Sequence, residues 1–260
     1  MDAEPIVPVM RRVPQVLPFI LAFWLIAAVA GAQSLEAGES GRVQAVESPV
    51  TLRLDSGLIV RLSGVTGPVE PDRAAASRAA LEQLALNKTV TLHYSGERRD
   101  RYGRAVAHVR LGQTWLQDAL AQQGWVMAES VRWDATRARA IQQAEARARN
   151  AGAGHWEEGG FAVLGPDPNP LAQKLDSFQI IEGIIVEAVE VRDWRYLNFG
   201  LDWRTDFTVS IPRQAWARFE DADMSLAELE GARIRVRGWL APRNGPMITA
   251  DHPEAIEVLD

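Results

Sequence analysis

The sequence predicts a mainly β chain with helices, an α+β protein built from two small five-stranded barrels, and three observations lead there. Short runs of alternating apolar and polar residues are separated by turn residues. An Ala-rich helical stretch interrupts them after the third run. The same order of strands, helix and strands then restarts beyond a proline-rich segment at 165–170.

Taken in order, 41–46, 51–54 and 58–62 alternate as strands and are broken by Ser48-Pro49 and by Asp55-Ser56-Gly57. Residues 70–86 follow a helical period through Leu81, Leu84 and Leu86 and stop at Asn87. Alternation returns at 90–94 and 105–111, with the charged stretch 97–104 as their connecting hairpin loop. Residues 114–122 and 133–150 then read as amphipathic helices, the second closing at Gly152.

Gly165-Pro-Asp-Pro-Asn-Pro170 predicts a stiff extended linker, because proline fixes φ and removes donors. Beyond it, 180–191, 194–199 and 207–211 are strand-like, and Pro212 opens a helix to 221. The segments 233–240 and 246–259 pair across Arg243-Asn244-Gly245. Strands, helix and strands in this order describe a barrel of the oligonucleotide/oligosaccharide-binding (OB) type. The expected division is 1–32 export segment, 33–40 flexible segment, 41–163 first domain, 164–176 linker and 177–260 second domain.

The chain carries a formal charge of −6, and Asp2 and Glu4 cancel Arg11 and Arg12, so losing the N-terminal segment leaves that balance unchanged. An acidic chain is not a general nucleic-acid binder, since sequence-independent affinity comes from neutralising phosphates. Any anion site is therefore a local patch. With no Cys there are no disulfides and no thiolate metal ligands. Arg11-Arg12 before the apolar run 13–29, with Ala30-Gly31-Ala32 after it, predicts a signal peptide cleaved after Ala32 and a periplasmic or secreted protein. The competing reading is an uncleaved membrane anchor over 14–32.

Arg61 and Arg104 are the leading functional candidates, because a guanidinium can hold a phosphodiester through paired, charge-assisted hydrogen bonds. Their bland reading is structural, with heads paired to Asp55 or Asp100. His93 and His108 fall in strands, where a satisfied histidine is the default, and His155 and His252 receive no role. Arg137, Arg139, Arg147 and Arg149 read as a solvated helix face. Trp194, Arg195, Tyr196, Trp203 and Arg204 interleave aromatics with cations, the combination that stacks bases and neutralises phosphates in single-strand binders. Against this, Tyr196, Phe199 and Phe207 are equally read as core, with Trp194 and Trp203 closing the barrel.

The segments Thr51-Leu-Arg-Leu54, Val60-Arg-Leu-Ser-Gly-Val65 with Pro68, Asp100-Arg-Tyr-Gly-Arg-Ala-Val-Ala107, Leu120 with Gln123-Gly124, and Gly154-His155-Trp156 belong together. Through them, residues 41–158 resemble the thermonuclease, or staphylococcal nuclease-like, family. The resemblance implies a barrel that hydrolyses phosphodiesters with calcium, with Arg61 and Arg104 gripping the scissile phosphate and Tyr102 touching it. It also places Val50 and Thr66 at the two metal-binding acids and Val69 at the catalytic Glu. Glu47, Glu70 and Asp72 are the candidate replacement ligands, Glu70 also as a catalytic candidate. The stretch 192–207 resembles the C-terminal module that accompanies some bacterial proteins of this kind. Three readings stand: a polyanion or single-stranded nucleic-acid binder with a degraded site and no cofactor, an active calcium-dependent nuclease, and a module that binds an envelope protein.

Overall fold

A long, bent first strand sets the geometry of the N-terminal barrel. The structure, a computed structural model, describes residues 35–259 except Trp133 and Glu158, so the export or anchor expectation for 1–32 lies outside the described residues. In β1 (Glu36–Ser48) the N-terminal half pairs with β5 (Thr89–Tyr94), from Glu36↔Tyr94 to Arg42↔Thr89. Its C-terminal half pairs with β2 (Thr51–Leu54), from Val43↔Leu54 to Ser48↔Thr51. Register shifts along β1 supply the bends that let one strand serve two neighbours. Residues 36–40 are thus paired strand, where the polar composition predicts a flexible segment; ladder hydrogen bonds to β5 override that local preference.

Next come β3 (Ile59–Leu62) and the short β4 (Val65–Thr66). The helix α1 (Pro71–Ala85) follows, with Glu70 as its N-cap and Ser77, Ala80, Leu81 and Ala85 on its buried face. Asn87 takes a left-handed conformation just past the helix, at φ 63°. After β5, the chain forms β6 (Ala105–Leu111), β7 (Thr114–Trp115), α2 (Leu116–Gln122), β8 (Met127–Ala128) and α3 (Ala135–Ala151). The order β3-β2-β1-β5-β6 closes on itself by a parallel β3–β6 ladder, while β4 pairs with β8. Val43, Leu52, Leu54, Val60, Leu62 and Leu92 fill the interior.

The proline-rich segment is not an extended linker. It leads into the one-turn helix α4 (Pro168–Ala172), and just before the segment β9 (Val163–Leu164) pairs in parallel with the following strand. Pro168 sits in the first turn, where its missing N–H costs nothing, and Asp167 caps the helix. Leu171 is anchored in the second core.

That core belongs to β10 (Ser177–Ile184), β11 (Glu187–Val191), β12 (Trp194–Asn198), β13 (Thr208–Pro212), α5 (Trp216–Glu220), α6 (Leu226–Leu229), β14 (Arg233–Pro242), β15 (Pro246–Thr249) and β16 (Ile256–Leu259). Pro212 ends a strand rather than opening a helix directly. The expected last strand, 246–259, is two, because the chain leaves the ladder after β15, passes through a 3-10 turn at Pro253–Ala255, and rejoins the same edge of β14 further along, opposite Arg233–Val236. The order β11-β12-β13-β15-β14-β10, with β13 parallel to β15 and helices between the third and fourth main strands, repeats the first barrel's topology.

The described residues, 35–259, fall in one compact unit. Met127, Ala148 and Trp156 meet Phe178 and Ile180 in an apolar cluster between the barrels. Beside it, Arg237 of β14 reaches Glu145 of α3 at 3.1 Å. The helix is amphipathic, burying Ala138, Ile141, Ala144 and Ala148; on the face read as solvated, Arg139 and Arg147 are exposed, whereas Arg137 and Arg149 are partly buried and Glu145 is fully buried. Among the described residues no helix is long and apolar enough to cross a membrane.

Candidate phosphate-contact site

Strand alternation puts Val60, Leu62, Ala105 and Ala107 inside the first barrel, so Arg61 and Arg104 lie on its outer face. Arg61 stands opposite Val106 in the parallel ladder. With strands about 4.8 Å apart and a rise of about 3.3 Å per residue, the Arg61 and Arg104 Cα atoms are about 8 Å apart. Arg61 Nη1 donates to the Leu62 and Val65 carbonyls at 3.0 and 2.9 Å, and Nη2 donates to Glu129 Oε2 at 2.7 Å. Its carboxylate partner is neither Asp55 nor Asp100. Nothing local in the sequence marks Glu129, which lies 68 residues away and is delivered by the segment after β8.

Arg104 Nε donates to Asp100 Oδ2 at 2.7 Å, as the bland reading expects. Asp100 Oδ1 also accepts from the Tyr102 and Arg104 backbone N–H groups at 2.9 and 3.0 Å, so one carboxylate shapes the whole turn. Burial would raise the Asp100 pKa, but these hydrogen bonds and the adjacent guanidinium hold it below the usual carboxylate range. Tyr102 projects from the turn, 67% exposed, with Arg101 and Arg104 at 4.7 and 5.5 Å from its ring centroid. Arg101 Nη2 donates to the Tyr102 hydroxyl at 2.6 Å. Arg101 is thus a further cation of this turn, legible only as the neighbour of Tyr102 in the motif. A cationic, aromatic-tipped turn beside Arg61 can hold an anion and stack a planar group.

The loops at the expected acid positions do come together: a Cβ on Gly67 would fall 2.4 Å from Pro49 Cβ. Their side chains differ in what they offer. Val50 packs against the first core, Thr66 is buried in β4, and Val69 is 79% exposed. Glu47 pairs with Arg53, whose Nε donates to it at 2.7 Å. Glu70 accepts the Arg73 and Asp72 backbone N–H groups at 3.0 and 3.1 Å as the α1 cap, and those bonds lower its pKa. Among the described residues no three His, Asp or Glu side chains are grouped to hold a metal ion.

Residues 60–158 match the model of the staphylococcal nuclease homologue family. Residues 60–158 form a staphylococcal nuclease-like domain. A thermonuclease from Staphylococcus hyicus is 33% identical over 89 residues, covering 34% of this chain and 52% of that protein. The chain thus spans about half the length of this curated relative. Val50 falls outside the family match, whereas Thr66, Val69, Arg61, Tyr102 and Arg104 fall within it.

Beyond the nuclease-like domain, the second barrel divides its candidate residues. Trp194 and Tyr196 alternate onto one face of β12 and stack at 6.4 Å, 22° from parallel. Tyr196 and the half-exposed Trp203 line one groove with Asn198, Thr208 and Met247. Arg204 lies 4.3 Å from the centroid of Trp203. Arg195 points away: it bonds Glu190 and Glu220 at 3.3 and 2.8 Å and covers Trp216. Phe207 is core, as the alternative reading has it, and Phe199 packs on it at 5.0 Å. Arg243, unassigned by sequence, covers Trp194 at 5.3 Å from the hairpin between β14 and β15.

Proposed function

We propose that the nuclease-like domain holds nucleic acid or another polyanion on its outer face without calcium-dependent hydrolysis. The observation that carries this is the placement of Arg61, opposite Val106 in the parallel β3–β6 ladder, and of Arg104, two residues before Val106, on one outer face beside the exposed Tyr102. The donor set supports the second half of the reading. Calcium takes about six to eight oxygens, preferably charged, and of Val50, Thr66 and Val69 only Thr66 offers a side-chain oxygen, itself buried. Glu47 and Glu70 are committed to Arg53 and to the α1 N-terminus. The residues present do not fit calcium, and no step is assigned to it.

The groove carrying Tyr196 and Trp203, flanked by Arg204 and Arg243, supports single-stranded nucleic acid as the ligand, since base stacking tolerates any sequence. We also propose export, on the Arg11-Arg12, apolar run and Ala30-Gly31-Ala32 pattern. An N-terminus beginning at Gln33, read by mass spectrometry on protein from outside the cytoplasm, tests it; retention of 1–32 marks an anchor instead.

The deciding experiment incubates the chain with single-stranded DNA and RNA, with calcium or with chelator. Salt-sensitive binding without cleavage, lost on Arg61→Ala with Arg104→Ala, is expected. Chelator-sensitive cleavage that disappears in Glu70→Ala overturns the reading in favour of an active nuclease. Neither binding nor cleavage leaves an envelope-protein interaction module.

A further inference from the structure

A cleft of about 380 Å³ opens between the two barrels, apart from the phosphate-contact turn. Ser130, just past β8, enters it from the first barrel, and His252, past β15, enters it from the second. The Ser130 hydroxyl lies 2.8 Å from His252 Nε2, and His252 Nδ1 lies 2.6 Å from Asp251 Oδ1. We propose that Ser130, His252 and Asp251 are a nucleophile, general base and orienting acid that hydrolyse carboxylic esters with an apolar acyl group.

The geometry assigns each role. A carboxylate at Nδ1 fixes the tautomer that carries its proton there, leaving the Nε2 lone pair facing the serine hydroxyl. The Asp251 carboxyl is held below its usual range, first by the hydrogen bond from His252, so it is the charged acceptor this requires. A second serine–histidine pair in the chain shows what a structural one looks like. Ser77 Oγ is 2.8 Å from His155 Nε2, yet Ser77 is fully buried and its proton goes to the Trp125 carbonyl at 2.7 Å. Ser130 is half-buried, lines open space and has a carboxylate behind its histidine.

Phe178, Trp239 and Met247 wall the same cleft and suit an apolar acyl chain, and Arg243 supplies a positive group beside them. In the first half-reaction the Ser130 Oγ–C bond forms as the hydroxyl proton passes to His252 Nε2. The ester C–O bond then breaks, and the departing alcohol takes that proton. In the second, water adds to the acyl-serine, gives its proton to Nε2, and the acid leaves as Oγ recovers the proton.

The test uses the whole chain and a fluorophosphonate probe, with which Oγ–P forms and fluoride departs. Peptide mass spectrometry is expected to find the adduct on Ser130, and p-nitrophenyl butyrate to be turned over. Both signals should fall at least about 100-fold in Ser130→Ala and in His252→Gln, with circular dichroism unchanged. No adduct on the folded wild-type chain overturns the proposal, as does an adduct on another serine or turnover that survives in Ser130→Ala. Loss of melting temperature in Ser130→Ala with no wild-type labelling overturns it too, and makes the triad a clamp between the barrels.

Discussion

Arg237 of β14 donates from Nη1 to both carboxylate oxygens of Glu145 on α3, at 3.2 and 3.1 Å, with both side chains sealed from solvent. Both charges have further partners: Nη1 also reaches the Ala128 carbonyl at 3.1 Å, Nη2 pairs with Glu257, and Glu145 accepts from the Ala128 N–H at 2.7 Å, while Arg237 Nε is left without a partner. A charge left alone in such a place is costly, so Glu145→Gln or Arg237→Met is expected to destabilise the chain by about 3–5 kcal/mol. The double substitution Arg237→Met with Glu145→Leu should recover most of that. Urea unfolding of the three variants checks it; a double variant that loses the sum of the single losses would refute a coupled pair.

Glu129 occupies one side of the Arg61 guanidinium that the polyanion reading needs. Removing the carboxylate in Glu129→Ala frees that side, and a part-exposed ion pair of about 1 kcal/mol predicts roughly fivefold tighter binding of single-stranded DNA. Arg61→Ala with Arg104→Ala should instead lower the slope of log affinity against log salt by about 0.7 for each lost phosphate contact. Fluorescence anisotropy across a salt series reads both. Unaltered affinity in Glu129→Ala would place the ligand elsewhere.

Stability should fall at acid pH through Glu39. The Tyr94 hydroxyl donates to Glu39 Oε2 at 2.6 Å and, with the Glu39 backbone and Arg99, lowers this carboxyl from 4.5 to about 2. A lowered folded-state pKa means the contribution is present above the unfolded value and is lost as pH drops from 4.5 towards 2. Tyr94→Phe should therefore lower the melting temperature most near pH 6 and progressively less below pH 4. A difference that does not narrow on acidification would exclude this linkage.

Gly124 ties the turn after α2 to Gly154. At φ +77°, a Cβ here would lie 2.0 Å from the Ala153 carbonyl oxygen, and the close approach sets the His155 N–H to Gly124 O bond at 3.0 Å. Gly124→Ala is expected to cost about 2 kcal/mol or more. Gly103→Ala, with the same φ but open space around its Cβ, should cost about 1 kcal/mol. Paired thermal melts decide, and equal costs would mean the contact relaxes freely.

Local pattern made the strands, α1 and its left-handed stop at Asn87, and the cationic turn around Tyr102 legible, because alternation, capping and turn chemistry act over a few residues. The same local reasoning failed at 36–40 and 168–172, where a polar strand start and a proline helix form because a partner strand and a core are waiting for them. Arg195 and Tyr196 sit side by side in the sequence, yet strand alternation sends one to Glu190 and Glu220 and the other to the groove.

By itself, then, the sequence determined two barrels of one topology and the arginines on the first. Only the tertiary structure decided what those groups face: Glu129 against Arg61, Arg237 against Glu145, and Ser130 against His252 across 122 residues. Such pairs are set by how distant segments pack, within the first barrel for Glu129 and between the barrels for the other two, and packing at that range leaves no periodicity along the chain.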